Sequence, residues 1–155
     1  MTLQEIKKRL LQIMKVHYPT SQYKYYSNAV VESFTRPCFF TELSIDSSEP
    51  ASTGAEHYRA EFSIEILQDV VDEAKSLEIA NTLRTAFGRY IVVTLPSGEK
   101  RAVDVVGYGF EFTGTDDNVP VITVMLEWYD RGLLPSETAD MMEDVDVSIK
   151  VEAEE

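Results

Sequence analysis

The stretch from His57 to Leu67, HYRAEFSIEIL, alternates between apolar and polar side chains and constrains the fold more than any other. Its apolar members share one side of the alternation: Tyr58, Ala60, Phe62, Ile64 and Ile66. Its polar members share the other: His57, Arg59, Glu61, Ser63 and Glu65. Because successive side chains of a strand point to opposite faces, this pattern is typical of a half-buried antiparallel strand. The chain is therefore expected to build a sheet with one covered face.

Two helices are predicted beside this strand. Thr2 and Glu5 have the spacing of a capping box, and Pro19 ends the helix that follows. A second helix is expected to begin near Asp69 or Asp72, with Gly88 placed to end it. The buried faces are predicted to contain Leu3, Ile6, Leu10, Ile13, Met14 and a packed His17 in the first helix, and Ala74, Leu77, Ala80, Leu83 and Phe87 in the second.

Further strands are predicted at YKYY, CFFTELSID, RYIVVTL, KRAVDVVGYGFEFT and VPVITVMLEWYDR, the third and fourth forming a hairpin. Phe39, Leu43 and Ile45 are expected to share one face of the second of these strands. The polar segment DSSEPASTGAE is expected to be a long loop. This order predicts an α+β fold, with two main helices packed on a mostly antiparallel β-sheet. Residues 1–132 are expected to form a single domain, and residues 133–155 an acidic C-terminal linker with a possible edge strand, VDVSIKVE, in the chain's own sheet or a neighbour's.

The sequence contains no recognisable catalytic, metal-binding or cofactor-binding motif. Cys38 follows Pro37 at the entry to a strand and is expected to be a buried structural thiol, since a reactive one needs a neighbour that lowers its pKa. His17 and His57 lack the spacing of zinc ligands. Gly107 and Gly109 are expected to mark a bulge or a close backbone approach. We therefore expect a protein that is not an enzyme and that uses no metal or cofactor.

The charge is unevenly distributed. The net charge is −13, yet residues 1–36 carry six bases and two acids, and residues 137–155 carry eight acids and one lysine. An acidic chain is poorly suited to grip nucleic acid through its phosphates. The two flanks are either ordinary solvated surfaces or complementary surfaces on neighbouring copies. No apolar run is long enough to cross a bilayer, no signal peptide is recognisable, and the cytoplasm of the producing cell is the expected location.

Five segments in order, LQEIKKRLLQIM, FTRPCFFTEL, YRAEFSIEIL, DEAKSLEIANTL and VITVMLEWYDR, span roughly Thr2 to Arg131. This series resembles the small tail terminator proteins of long-tailed phages and prophages of Gram-positive bacteria. The acidic residues 137–155 lie outside the resemblance. It implies a structural subunit with a terminator-like fold that assembles into a hexameric ring at the head-proximal end of the tail tube. The ring would end tube polymerisation and present a surface for joining the head.

The resemblance implies as partners further copies of the chain, the tail tube protein and a head–tail connector protein, with DNA passing through the channel without specific binding and no membrane. The implied location is the virion tail, with the host cytoplasm during assembly. Candidate intersubunit residues are Lys8, Arg36, Arg59, Arg89, Arg101, Val147 and Ile149. Two alternatives stay open. One is another ring component of the neck or tail: a head–tail joining, tail completion or tail tube protein. The other is a small bacterial ligand-binding module or enzyme, with a site converging on His17, His57 or Cys38.

Overall fold

The face that the alternating strand was expected to bury is covered by both helices. A computed structural model describes residues 1–27, 34–114 and 118–131. Its elements in chain order are α1 (Leu3–His17), β1 (Lys24–Ser27), β2 (Cys38–Ser52), β3 (Ala55–Leu67), α2 (Glu73–Phe87), β4 (Tyr90–Thr94), β5 (Lys100–Thr113) and β6 (Val119–Arg131). The strands form one six-stranded sheet in the order β1-β2-β3-β6-β5-β4. The α+β class is confirmed.

The sheet is mostly antiparallel, as expected, but one parallel pair of strands makes it a mixed sheet. All neighbouring strands are antiparallel except β1 and β2, which pair in parallel from Lys24↔Cys38 to Ser27↔Thr41. A parallel neighbour requires the chain to return to the end of the sheet at which it started. The apolar alternation of a strand shows which face it buries but not its direction.

The core lies between the helices and the inner face of the sheet. Ile6, Leu10 and Met14 of α1 are buried, and so are the alternate residues of β3 and β6 predicted to point inward, apart from Tyr58, which is partly buried. The predicted α2 face is partly wrong: Ala74 and Leu77 are exposed. Its buried residues are Ser76, Ile79, Leu83 and Phe87. A further expectation is wrong, because His17 is exposed at the end of α1. Phe39, Leu43 and Ile45 share one face of β2 as expected, and Ile45 on that face is 46% exposed.

The predicted helix ends are confirmed. The Thr2 hydroxyl accepts a hydrogen bond from the Glu5 backbone N–H, and the Glu5 carboxylate accepts one from the Thr2 backbone N–H at 2.7 Å. Asp72 caps α2 by accepting from the Lys75 backbone N–H at 3.2 Å. Gly88 ends α2 with a φ of 64°, a backbone conformation that residues with a side chain rarely adopt.

The polar segment from Asp46 to Glu56 is a β-hairpin rather than the expected loop. β2 continues to Ser52, Thr53 and Gly54 form the turn, and β3 begins at Ala55. We call Ile45–Arg59 the hairpin arm. β3 also pairs with β6 as far as Ala55↔Arg131, so main-chain hydrogen bonds hold the arm on both sides of β3. An arm that buries little side-chain surface tolerates polar residues on both faces, and apolar patterning therefore does not reveal it.

The expectation for the glycines of β5 is confirmed. The pairing of β5 with β6 shifts register between Val105 and Gly107, which marks a bulge. A Cβ atom added to Gly107 would lie 3.0 Å from Sδ of Met125, and one added to Gly109 would lie 3.4 Å from Cβ of Thr123. The two strands therefore approach closely at both positions.

A buried polar cluster around Gln68 fixes the start of α2. The Gln68 side-chain amide donates to the Ser76 hydroxyl at 2.9 Å, and its carbonyl oxygen accepts from the Asp72 backbone N–H at 3.2 Å. The Ser76 hydroxyl donates in turn to the backbone carbonyl of Asp72 at 2.8 Å. This cluster explains why the helix turns Ser76 inward, against the prediction from apolar residues alone.

We expect Gln68→Ala to lower the free energy of unfolding by about 2 kcal/mol, because it leaves buried hydrogen-bonding groups without partners. Denaturant-induced unfolding followed by circular dichroism measures the change. Gln22→Ala, at an exposed position, is the matched control and should change the stability by less than about 0.5 kcal/mol. Equal effects of the two substitutions would contradict a structural role for the cluster.

Candidate interaction surfaces

Cys38 and His57, two of the residues named for the enzyme alternative, do not come together. Cys38 is buried, and burial raises the pKa of its thiol although Arg36 acts in the opposite direction. Cys38 is paired with Leu67, at the opposite end of β3 from His57. Ten residues of an extended strand separate these positions by about 34 Å. The expectation of a buried thiol is confirmed, and Cys38 and His57 are too far apart to share one site.

The outer face of the sheet carries no helix among the described residues, and we call it the open face. Arg59 and Glu127 are paired across β3 and β6, with the Arg59 Nε 2.8 Å from a Glu127 carboxylate oxygen. Beside them the His57 ring stacks on Tyr129 at a centroid distance of 4.7 Å. Tyr129 is 64% exposed and Met125 49%. The open face is thus an ordered surface with large apolar side chains in contact with solvent.

The open face is predominantly acidic. Strand alternation places several carboxylates on it, against four cations: Lys24, Arg59, Lys100 and Arg131. The carboxylates belong to Glu42, Glu61, Glu65, Asp104, Glu111 and Glu127. Such a surface repels phosphate groups.

The two long edges of the sheet differ in charge. β1 covers β2 only from Cys38 to Thr41, so within the described ranges the outer side of Glu42–Ser52 pairs with no strand. This arm edge carries Glu42, Asp46 and Glu49. β4 forms the opposite edge, beside the cations of α1, and the Arg9 Nε donates a hydrogen bond to the Val92 carbonyl oxygen at 3.0 Å. The β4 edge is lined by bases, and the arm edge is acidic beyond Thr41, whose carbonyl oxygen accepts a hydrogen bond from Lys7 of α1 at 3.0 Å.

Three of the arginines predicted to contact a neighbour have partners inside the subunit. Arg59 pairs with Glu127, and Arg36 donates to the Gln68 backbone carbonyl at 3.1 Å. Arg101 pairs with Glu99 and Asp130, each at 2.9 Å. Lys8 and Arg89 are solvent-accessible without an ion pair to any described residue, while Val147 and Ile149 lie outside the described residues.

Sequence reasoning did not single out Asp130, which holds three segments together. One of its carboxylate oxygens lies 2.6 Å from the Met1 amino group and the other 2.9 Å from Arg101. It also accepts from the Arg131 backbone N–H at 2.9 Å. Met1 and Arg101 are distant from Asp130 in sequence, so only the register of the sheet reveals the cluster.

No group of metal-ligating side chains occurs within residues 1–27, 34–114 and 118–131. None of the helices described there has the length and apolarity to span a membrane.

Comparison with known proteins places these surfaces in context. A family model described as "Phage tail terminator protein" matches residues 5–137. The search of curated proteins finds no match. One solved structure, for which no function is stated, is 19% identical, with a TM-score of 0.50 over 87% of this chain and 99% of the other. A chain described as "Virion of native gene transfer agent (GTA) particle" is 13% identical, with a TM-score of 0.43 over 81% of this chain and 93% of the other. The first likeness concerns the fold alone.

Proposed function

The chain belongs to the phage tail terminator protein family, and we propose on that basis that copies of it cap the tail tube at its head-proximal end. It is a structural component of a phage tail, from a family that is not enzymatic. In the proposed role a hexameric ring of copies ends polymerisation of the tube and offers the surface to which the head is joined. Its partners are then the tail tube protein on one side and a head–tail connector protein on the other.

The observation that supports a ring is the contrast between the two edges of the sheet. A ring built head to tail needs two different, complementary surfaces on each copy. The arm edge is acidic, whereas Lys8 and Arg9 of α1 lie beside β4 at the other edge of the sheet. Opposite charges at the two ends favour an ordered head-to-tail contact over a symmetric one.

We assign Lys8 and Arg89 to direct contacts with the neighbouring copy, because both are accessible at the β4 side of the subunit. Arg36, Arg59 and Arg101 are assigned an indirect role in the same interface. Each holds a segment of its own subunit in position through an internal contact, to Gln68, Glu127 and Asp130 respectively. The acidic open face is assigned to the channel, where carboxylates allow DNA to pass without specific binding.

The test is co-assembly with the polymerising tail tube subunit of the phage that encodes the chain. Tube length is measured by negative-stain electron microscopy as the amount of added chain increases. We expect shorter tubes, each with a ring at one end. Lys8→Glu with Arg89→Glu should abolish the effect, whereas Lys75→Glu, on the exposed start of α2, should retain it.

Unchanged tube lengths together with bare tube ends would overturn the terminator role. A ring that binds the connector protein and leaves tube growth unchanged would overturn it in favour of another neck component. Light scattering of the chain alone reports its mass, and a monomer there is compatible with assembly only at the tube end.

A further inference from the structure

We propose that the hairpin arm of one copy docks on the neighbouring copy, in a groove between α2 and β5. This α2–β5 groove is lined by Leu77, Asn81, Arg84, Arg89, Tyr108 and Phe110. The contact rests on the proposed ring of copies and names the two segments that meet in it. It gives Arg89, already assigned to the ring contact, an acidic partner in the arm of the neighbour.

The α2–β5 groove consists of two adjoining cavities of about 170 and 380 Å³, which share Asn81, Arg84 and Tyr108. Tyr108 sets its shape, because the Tyr108 hydroxyl donates a hydrogen bond to the Gly88 carbonyl oxygen at 3.0 Å and ties the end of α2 to β5. Burial raises the pKa of Tyr108 to about 12, although Arg84 acts in the opposite direction, so the hydroxyl keeps its proton at neutral pH. The groove is therefore formed before any partner binds.

The groove is basic, although the chain as a whole carries a net charge of −13. Arg84 and Arg89 are both exposed, and neither forms an ion pair with any described residue. Among the described residues that line the two cavities there is no carboxylate. The wall beside Arg84 is apolar and includes Phe110 and Leu77, which is 43% exposed. A carboxylate next to an apolar side chain would match both parts of the groove.

The hairpin arm carries that combination. Ile45 is 46% exposed, and Asp46 follows it at the point where the register of β2 and β3 shifts. Glu49 lies further along the same edge, and neither acid forms an ion pair with any described residue. DNA phosphates match the groove less well, because they bring charge but no apolar group to Leu77.

The arm and the groove of one subunit lie too far apart to meet. The arm pairs with the end of β6, as in His57↔Tyr129, whereas Phe110 beside the groove pairs with Ile122. In an extended strand the seven residues from Ile122 to Tyr129 span roughly 24 Å. Main-chain hydrogen bonds on both sides of β3 hold the arm in place. The occupant of the groove is therefore the arm of another copy, which is a head-to-tail contact.

The dimensions of the two segments agree. The edge of the arm from Ile45 to Ser52 extends for roughly 27 Å. The helical wall of the groove from Leu77 to Phe87 extends for roughly 15 Å. The arm is thus long enough to lie along the whole groove, and a ribbon that is already ordered loses little conformational entropy on docking.

Charge reversal tests the contact in the tube-capping assay. Asp46→Arg with Glu49→Arg reverses the arm, and Arg84→Glu with Arg89→Glu reverses the groove. Each variant alone is expected to lower the fraction of capped tube ends about tenfold or more, because like charges then meet at every contact. An equal mixture of the two should restore capping to within about twofold, since copies that alternate around an even-numbered ring pair opposite charges at every contact.

Glu73→Arg with Lys75→Glu, at the exposed start of α2, is the matched control and should cap tubes as the wild type does. Thermal unfolding followed by circular dichroism checks that every variant is folded. Capping by either reversed variant alone, or a mixture of the two that stays inactive, would overturn the docking of the arm and leave the terminator role standing. Bare tube ends with the wild-type chain would overturn the terminator role, and the docking of the arm with it.

Cross-linking provides a second measurement that keeps the charges in place. Ser48→Cys lies beside Glu49 on the arm, and Thr85→Cys lies beside Arg84 at the groove. Capped tubes made from a mixture of the two variants should give a cross-linked dimer with a short bismaleimide. Each variant alone should give none, because Cys38 is buried and like positions do not meet. Capped tubes without a cross-linked dimer would overturn the proposed contact.

Discussion

Replacement of Phe39 by alanine is expected to lower the free energy of unfolding by about 4 kcal/mol, the largest effect of any single substitution considered. Phe39 is fully buried at the start of β2. Its ring stacks on Tyr23 at 5.0 Å and contacts Tyr18 and Tyr25 at 5.5 and 5.4 Å. The loss combines the removed apolar surface, the cavity and the aromatic contacts that join the end of α1 to β1 and β2.

Phe40→Ala is the matched control, because Phe40 is the next residue and points to the other face of the same strand. It is only partly buried and contacts Tyr26 and Phe34. We expect a loss of about 1 kcal/mol there. Urea unfolding of both variants measures the difference, and a Phe40 loss as large as that of Phe39 would contradict the assignment of the inner face.

The second large effect is expected for Asp130→Asn, a loss of about 2 kcal/mol at neutral pH, because charged hydrogen bonds to Met1 and Arg101 are removed. Asp46→Asn, on the exposed hairpin arm, is the control and should change stability by less than about 0.5 kcal/mol. Thermal unfolding at pH 7 compares the two. If Asp130→Asn left the stability unchanged, the cluster would add nothing to it.

The same residue predicts a dependence on pH. Burial alone would raise the pKa of Asp130, but hydrogen bonds from the Met1 amino group and the Arg131 backbone, with the charges of Met1 and Arg101, lower it below its ordinary value of 3.8. A carboxyl group whose pKa is lower in the folded than in the unfolded chain stabilises the fold above the unfolded pKa. That contribution is lost as the pH falls through the folded pKa. The stability difference between wild type and Asp130→Asn should therefore shrink below about pH 4. A difference that stays constant down to pH 2 would contradict this.

Local signals in the sequence identified the features with local causes. The capping box of Thr2 and Glu5, the end of α2 at Gly88 and the bulge at Gly107 each depend on a few neighbouring residues. The hairpin arm and the direction of β1 depend on pairing with distant strands. Apolar patterning carries no information on either.

The same division applies to the interaction surfaces. Arg59 and Arg101 were predicted to face a neighbour because an acidic chain has few bases. Their internal partners are brought close only by the register of β3, β5 and β6. The unevenness of charge along the chain was visible in the sequence, whereas the position of Arg9 beside an open strand edge required the fold.

The position of β6 has a consequence for synthesis. It is the last described strand to leave the ribosome, yet it lies in the centre of the sheet between β3 and β5. Until it is made, β1–β3 and β4–β5 are two separate half-sheets with open edges, a state prone to aggregation. In a translation product that stops before Val119, β1–β3 and β4–β5 would therefore stay unconnected, and the product would not fold as a smaller domain. Only a chain translated through β6 therefore carries both outer edges on one continuous sheet. The strand order thus keeps products that lack β6 from presenting both edges together.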